Sequence, residues 1–192
     1  MTDIIARAVE VLRRDGLVVY PTDTVYGLGA DALSEEAVMK VYEAKGRPFH
    51  NPISVAVCDM EMLCCIARVS PPAEALIERF LPGPMTVILP AKSVLPPLLM
   101  AGTGQIGVRI PDHEIALSLV RGFDAPITAT SANRTGERNP RSEDEVQVPH
   151  DLLISGGTLP GVPSTVVDPD RRQILRPGTQ AEEIEAFLAT LR

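Results

Sequence analysis

The sequence predicts an α/β protein built around a mixed β-sheet. Short helical periodicities alternate with short apolar runs along the whole chain, and the order of the two is irregular, so antiparallel strand pairs are expected beside parallel ones. A length of 192 residues at 45% apolar composition supplies a buried core without metal or disulfide support, and one domain spanning 1–192 is expected.

Each element has its own signal. Ile5, Ala8, Val9 and Leu12 recur at helical spacing behind a Thr2/Asp3 cap, and Gly16 ends that helix. Leu17 to Tyr20 reads as a buried strand. Ser34 caps a helix that carries Val38, Val41 and Tyr42 on one face and runs into Lys45-Gly46-Arg47-Pro48. Ile53 to Val57 is the next strand. Asp59 and Pro71 open two further helices, Met85 to Leu89 and Ile106 to Ile110 are strands, and Asp112 caps a helix ending near Gly122. Pro126 to Thr130, Leu152 to Ile154, Thr165 to Val167 and Ile174 to Leu175 complete the strands, and a last helix begins near Gln180. Many of the 18 prolines stand at strand ends, where a fixed φ holds loops in one shape at little entropic cost.

Composition excludes several functions. Lys and Arg number 18 against 25 Asp and Glu, a formal charge of −7, which argues against a chain that coats nucleic acid. Aromatics are 4% with no Trp, so neither a stacking platform for single strands nor an aromatic cage is expected. The charged N-terminal stretch does not read as a signal peptide, and no run approaches the roughly 20 apolar residues of a membrane span. Cys58, Cys64 and Cys65 lack metal-site spacing and read as buried, reduced thiols of a cytoplasmic protein. His50, His113 and His150 read as surface or capping residues, and no metal site is expected.

Gly102 to Gly107 matches GxGxxG letter for letter. A dinucleotide fingerprint needs a strand before it and a helix within it, whereas Val108-Arg109-Ile110-Pro111 follows here, so the glycines mark the entry to a strand. Three polar clusters look chemical instead. Thr22-Asp23-Thr24 follows the first strand and suits a small polar ligand, or a simple hydroxyl-stabilised turn. Lys45 and Arg47 share a face if extended and would hold a phosphate, against the alternative of a solvated basic turn. Ser131 and Asn133 offer neutral donors after another apolar strand, or cap a turn, with Asn139 beyond. Arg109 and Arg176 add cations at strand ends.

These segments resemble the YrdC/Sua5 family of threonylcarbamoyl-AMP synthases. PTDTVYGLGADAL at 21–33, KGRPFHNPI at 45–53, LPGPMTVIL at 81–89, GVRIPDH at 107–113, TSANRTG at 130–136, STVVD at 164–168 and LRPG at 175–178 carry the resemblance in family order. It implies a twisted open mixed sheet flanked by helices, with a concave basic groove, in the short form that lacks the additional C-terminal domain of longer members. It also implies synthesis of threonylcarbamoyl-adenylate and pyrophosphate from L-threonine, bicarbonate and ATP, with Mg²⁺ accompanying the nucleotide. The product would serve N6-threonylcarbamoyladenosine formation at position 37 of tRNA through a separate transferase.

By motif, Thr24, Arg109 and Ser164, with the Ala129/Thr130 backbone, correspond to threonine-binding positions. Lys45, Arg47, Asn51, Gln105, Ser131, Asn139 and Arg176 correspond to nucleotide-binding ones, and the Lys45/Arg47 and Ser131/Asn133 signatures to the catalytic part. The family often carries His nine residues after the K-x-R arginine, against the threonine; this chain has Ala56. Two other readings stand beside this one: a binder of tRNA or double-stranded RNA through the same groove, and a related carbamoyl- or adenylate-forming enzyme with another substrate.

Overall fold

A computed structural model describes residues 2–191 and divides the strands between two mixed sheets. In chain order the strands are β1 (Val18–Tyr20), β2 (Gly27–Gly29), β3 (Val55–Ala56), β4 (Met85–Pro90), β5 (Gln105–Arg109), β6 (Ile127–Thr128), β7 (Thr130–Ser131), β8 (Leu152–Leu153), β9 (Thr165–Asp168) and β10 (Gln173–Arg176). The four-stranded sheet runs β7-β2-β1-β8 and the six-stranded sheet β10-β9-β4-β5-β3-β6. The pairs β1/β8, β3/β5 and β4/β9 are parallel and the others antiparallel, the mixture that the irregular element order predicts. Around them lie α1 (Thr2–Leu12), α2 (Glu35–Lys45), α3 (Met60–Ile66), α4 (Pro71–Phe80), α5 (Pro97–Met100), α6 (Glu114–Phe123) and α7 (Ala181–Leu188).

Local chemistry explains most boundaries. Asp3 stands in the first turn of α1, while the Thr2 side chain of the expected cap lies outside the described residues. Ala8, Val9 and Leu12 are the buried stripe of α1, which packs on α6: a Cβ on Gly122 would lie 3.3 Å from Val9 Cγ2 and 3.6 Å from Ile5 Cγ2. Ser34 caps α2 by accepting from Ala37 N at 3.2 Å. Gly46 ends that helix in the left-handed region, φ 56°, where a side chain would be strained. Two expectations change. His113, not Asp112, is the N-cap residue of α6, because Asp112 lies one residue further outside the helix, and neither caps through its side chain there. Of the cysteines only Cys58 is buried; Cys64 and Cys65 sit on the outer face of α3. The segments β2, β7 and α5 carry too few residues for a periodicity to register.

The sheets are sewn together at Thr128. Its N–H donates to Ala30 O at 2.9 Å, its hydroxyl donates to Leu28 O at 2.9 Å and accepts from Ala30 N at 3.0 Å. Its carbonyl accepts from the Tyr20 hydroxyl at 3.1 Å. Every one of these groups is buried, so the junction is fixed by satisfied polar groups as well as by apolar packing.

Candidate active site

The polar clusters read from the sequence meet at this junction. A single residue, Ala129, separates β6 of the large sheet from β7 of the small one, and its N–H donates to Ser54 O at 2.7 Å. Beside it opens a cavity of about 130 Å³. Of the predicted site residues, Thr24, Arg47, Arg109, Ala129, Thr130, Ser131, Asn139, Ser164 and Arg176 line it. Ser54, Thr86 and Val166 line it as well. Thr86 was legible only as a threonine inside an apolar central strand, and Ser54 carried no signal of its own. A larger groove of about 470 Å³ runs beside α3, but its apolar lining, including Leu33, Met62 and Val94, gathers no comparable set of donors.

Three arginines converge here. Arg109, at the end of β5 and 6% exposed, donates through Nη2 to Asp23 Oδ1 at 2.5 Å and through Nη1 to Thr24 Oγ1 at 3.2 Å. Its Nε is buried without a protein partner, as is Asp23 Oδ2. Arg47 is folded into its own loop, with Nε donating to Asn51 O at 3.1 Å and Nη2 to Pro52 O at 2.7 Å. Arg176 donates from Nη2 to Ser164 O at 2.8 Å. Gly178 permits that approach, since a Cβ there would collide with Pro163 O and sit 2.8 Å from Ser164 O. Burial lowers the Arg176 pKa, and the charges of Arg109 and Arg47 lower it further, so the three cations act on one another. Among the described residues Asp23 is the one carboxylate paired with this group.

The Thr22 and Thr24 hydroxyls have fixed polarity. Thr22 Oγ1 donates to Val25 O at 2.7 Å, so the 2.9 Å contact between Thr22 and Thr24 hydroxyls has Thr24 as donor. With its hydrogen committed and one lone pair held by Arg109, Thr24 meets a ligand as an acceptor only. The Thr86 and Ser164 hydroxyls, 3% and 5% exposed, share one hydrogen bond at 2.8 Å.

Four predicted residues stand elsewhere. Lys45 and Arg47 were expected to face a common anion from an extended segment. Instead Lys45 is the last residue of α2, and the left-handed Gly46 turns the chain so that the two diverge. The Lys45 ammonium, 2% exposed, donates to Ser131 O and, at 2.6 Å, to Asn133 O. Burial, and secondarily the Arg47 charge, push its pKa down to about 8. Asn133 turns inward too, its amide donating to Arg134 O at 3.0 Å and Glu137 O at 2.8 Å, so it staples its loop. The carbonyl of Asn51 serves Arg47 and the Tyr42 hydroxyl. Gln105 shares the strand face of Gly107 and Arg109, about 13 Å along β5 from the arginine. Ala56 is buried and pairs with Arg109 across the sheet. Among the histidines, His113 Nδ1 is buried without a partner, and burial lowers its pKa.

The family model named Sua5, YciO and YrdC, described as “Telomere recombination”, matches residues 10–178. The chain belongs to the Sua5/YciO/YrdC family. It is 43% identical over 190 residues to the threonylcarbamoyl-AMP synthase of Pyrococcus abyssi, covering 94% of this chain and 56% of that protein. The Homo sapiens threonylcarbamoyl-AMP synthase is 34% identical over 203 residues, covering 97% of this chain and 71% of the human one. In three dimensions, P. abyssi Sua5 complexed with L-threonine superposes with a TM-score of 0.92 at 42% identity, over 98% of this chain and 58% of that one. E. coli YciO gives 0.83 at 28% identity, over 93% and 91%. This Sua5/YciO/YrdC member therefore spans little more than half the length of the archaeal relative. No described helix is long and apolar enough to cross a membrane.

Proposed function

We propose that this chain forms L-threonylcarbamoyl-adenylate from L-threonine, bicarbonate and ATP, releasing pyrophosphate. One observation carries the reading: Arg47, Arg109 and Arg176 converge on a small polar cavity in which the Thr24 hydroxyl is held as an acceptor. The likeness to threonylcarbamoyl-AMP synthases and to a Sua5 complexed with L-threonine supports it.

The threonine amine condenses with bicarbonate to a carbamate, releasing water. A carbamate oxygen then attacks the α-phosphorus, and pyrophosphate leaves. Negative charge gathers on phosphoryl oxygens throughout, so positioned cations and donors serve better than a protein nucleophile. A 130 Å³ cavity is below the roughly 300–1,000 Å³ of pockets that enclose drug-sized ligands, so the amino acid fits inside and the nucleotide extends from the mouth. Arg109 holds the threonine carboxylate, with the Ala129/Thr130 backbone alongside, and Thr24 accepts from the amine. Arg47, Arg176, Ser131 and Asn139 face the phosphates and the adenylate. Lys45 holds the Ser131 loop in register from behind, while Asn51 and Asn133 shape the two nucleotide-side loops and Gln105 reaches the outer part of the nucleotide.

Mg²⁺ belongs to this reading as the counter-ion of the nucleotide phosphates. Among the described residues no group of three His, Cys, Asp or Glu side chains could hold a metal, and Asp23 is committed to Arg109, so no step is drawn through a protein-held ion. The product is consumed by a transferase acting on tRNA adenosine 37, in a cytoplasmic setting. Isotope-labelled bicarbonate, L-threonine and ATP incubated with the chain, with products identified by mass, test the proposal. Labelled threonylcarbamoyl-AMP is expected; its absence, or a product formed equally well without threonine, overturns the reading.

A further inference from the structure

The cavity contains one buried hydroxyl pair of which Ser164 corresponds to a threonine-binding position, while Thr86 has no task assigned. Thr86 lies in β4, and the register that sets Val87 against Val108 carries Thr86 to the side of Arg109 at the end of the ladder. Directly opposed residues on antiparallel strands point to the same face, with Cβ atoms about 4.5–5.5 Å apart. A carboxylate on Arg109 therefore brings the α-substituent of an amino acid to Thr86. On its other side β9 presents Val166 against Thr86, and Ser164 reaches the Thr86 hydroxyl at 2.8 Å. A Cβ on Gly107 would run into Ser54 Oγ and lie 3.1 Å from Thr86 Cγ2, so the floor between these groups stays open because residue 107 is glycine.

Hydrogen accounting shows what the pair can read. Two hydroxyls own two hydrogens, and their mutual bond uses one. The other hydrogen and the remaining lone pairs are available to a ligand. Arg176 Nη2 approaches Ser164 Oγ only at 3.4 Å, a weak claim beside its 2.8 Å bond to the Ser164 carbonyl. Thr24, by contrast, is locked as an acceptor. The amino acid's polar groups thus sort by chemistry: carboxylate to Arg109, amine to Thr24, and a side-chain hydroxyl, which both donates and accepts, to the pair that can do the same.

We infer that Thr86, hydrogen-bonded to Ser164, is a further specificity-determining residue, one that recognises the β-hydroxyl of the amino-acid substrate. The inference rests on the proposed function above. It predicts acceptance of hydroxylated amino acids, threonine and serine, over L-2-aminobutyrate, which has the threonine skeleton without the oxygen.

The test is the binding ratio of L-threonine to L-2-aminobutyrate, measured by titration calorimetry, with the same ratio in adenylate formation. Thr86→Val keeps the shape and removes the hydroxyl; it is expected to lower the ratio about tenfold, leaving half-saturating ATP unchanged. Thr86→Ser keeps the hydroxyl and is expected to retain the parent ratio. Should Thr86→Val fail to fold, Thr86→Ala also removes the hydroxyl and carries the same expectation. An unchanged ratio in Thr86→Val, or an equal loss in Thr86→Ser, overturns the inference. L-threonine binding with the predicted ratio but no adenylate would sink the proposed reaction and leave this inference standing; no L-threonine binding would sink both.

Discussion

Lys45 offers the sharpest quantitative test, because its burial sets a pH dependence that few other contacts would mimic. Replacing it with Met removes an ammonium that donates to Ser131 O and Asn133 O and leaves both carbonyls without that partner. Each orphaned buried acceptor costs about 1–3 kcal/mol. Against this, the variant is relieved of a charge that the fold disfavours: the fall from 10.5 to about 8 corresponds to about 3 kcal/mol. Near pH 7 the two effects largely offset, so the prediction lies in the slope. Below about pH 8 Lys45 is protonated in both folded and unfolded chains and the penalty is present in full. Between about 8 and 10.5 the folded chain has released a proton that the unfolded chain still binds, so stability rises with pH. Burial raises the phenol pKa values of Tyr20, Tyr26 and Tyr42, which erodes stability at high pH, but that loss is common to parent and variant and cancels in their difference. Urea unfolding of both proteins from about pH 7 to about pH 10.5 should show the parent-minus-variant stability climbing by about 3 kcal/mol. A difference that stays flat, or falls, would refute a buried, charged Lys45.

Three further outcomes are expected. Arg109→Lys keeps the charge but loses the fork that engages Asp23 and Thr24, so half-saturating L-threonine should rise about tenfold or more while half-saturating ATP holds; steady-state kinetics in each substrate check this. Asp23→Ala strands the Arg109 guanidinium, 6% exposed, and should destabilise the fold by about 3–5 kcal/mol in chemical denaturation, whereas a loss under about 1 kcal/mol would mean the pair is not buried as seen. Arg47→Ala should abolish adenylate formation with little change in melting temperature, because the residue sits in a loop and its two bonds go to that loop's own carbonyls.

Legibility followed the range over which each cause acts. Helices α2 and α4 announced themselves through local chemistry, the Ser34 cap and the paired prolines at the start of α4, and the long strands β4 and β5 through mainly apolar runs. Motif spacing also marked most of the cavity lining, since Thr24, Arg109, Ser131 and Arg176 each follow or end a strand and Ser164 stands just before one. Lys45 and Arg47 depart from the expected shared face because a period of two holds for extended chain, while Gly46 imposes a helix end with a left-handed reversal. At Asn133 the turn-capping alternative describes the side chain: a short polar group beside a turn satisfies its own backbone first. Thr86 and Ser54 join the site only through strand register, the most non-local of these causes, and no spacing within either segment records it.

The same contrast between local and global explains how a chain of formal charge −7 can hold an anion. Net charge governs encounters at distances where ionic screening, with a Debye length of about 10 Å at 0.1 M salt, has already reduced each exposed carboxylate to a small effect. Inside the cavity the balance is different: three arginines and one carboxylate are drawn together by strand ends, and lowered pKa values at Arg47 and Arg176 follow from burial that also excludes the screening solvent. Cations held so close repel one another, and the fold tolerates that because Asp23 and the carbonyls of Asn51, Pro52 and Ser164 each take a share of the charge. In the proposed reaction, a polyphosphate entering beside a carboxylate-bearing amino acid would relieve the remainder. The repulsion stored in the unliganded cavity is therefore itself a contribution to anion affinity, one fixed by where β5 and β10 end and invisible in any sum over the sequence.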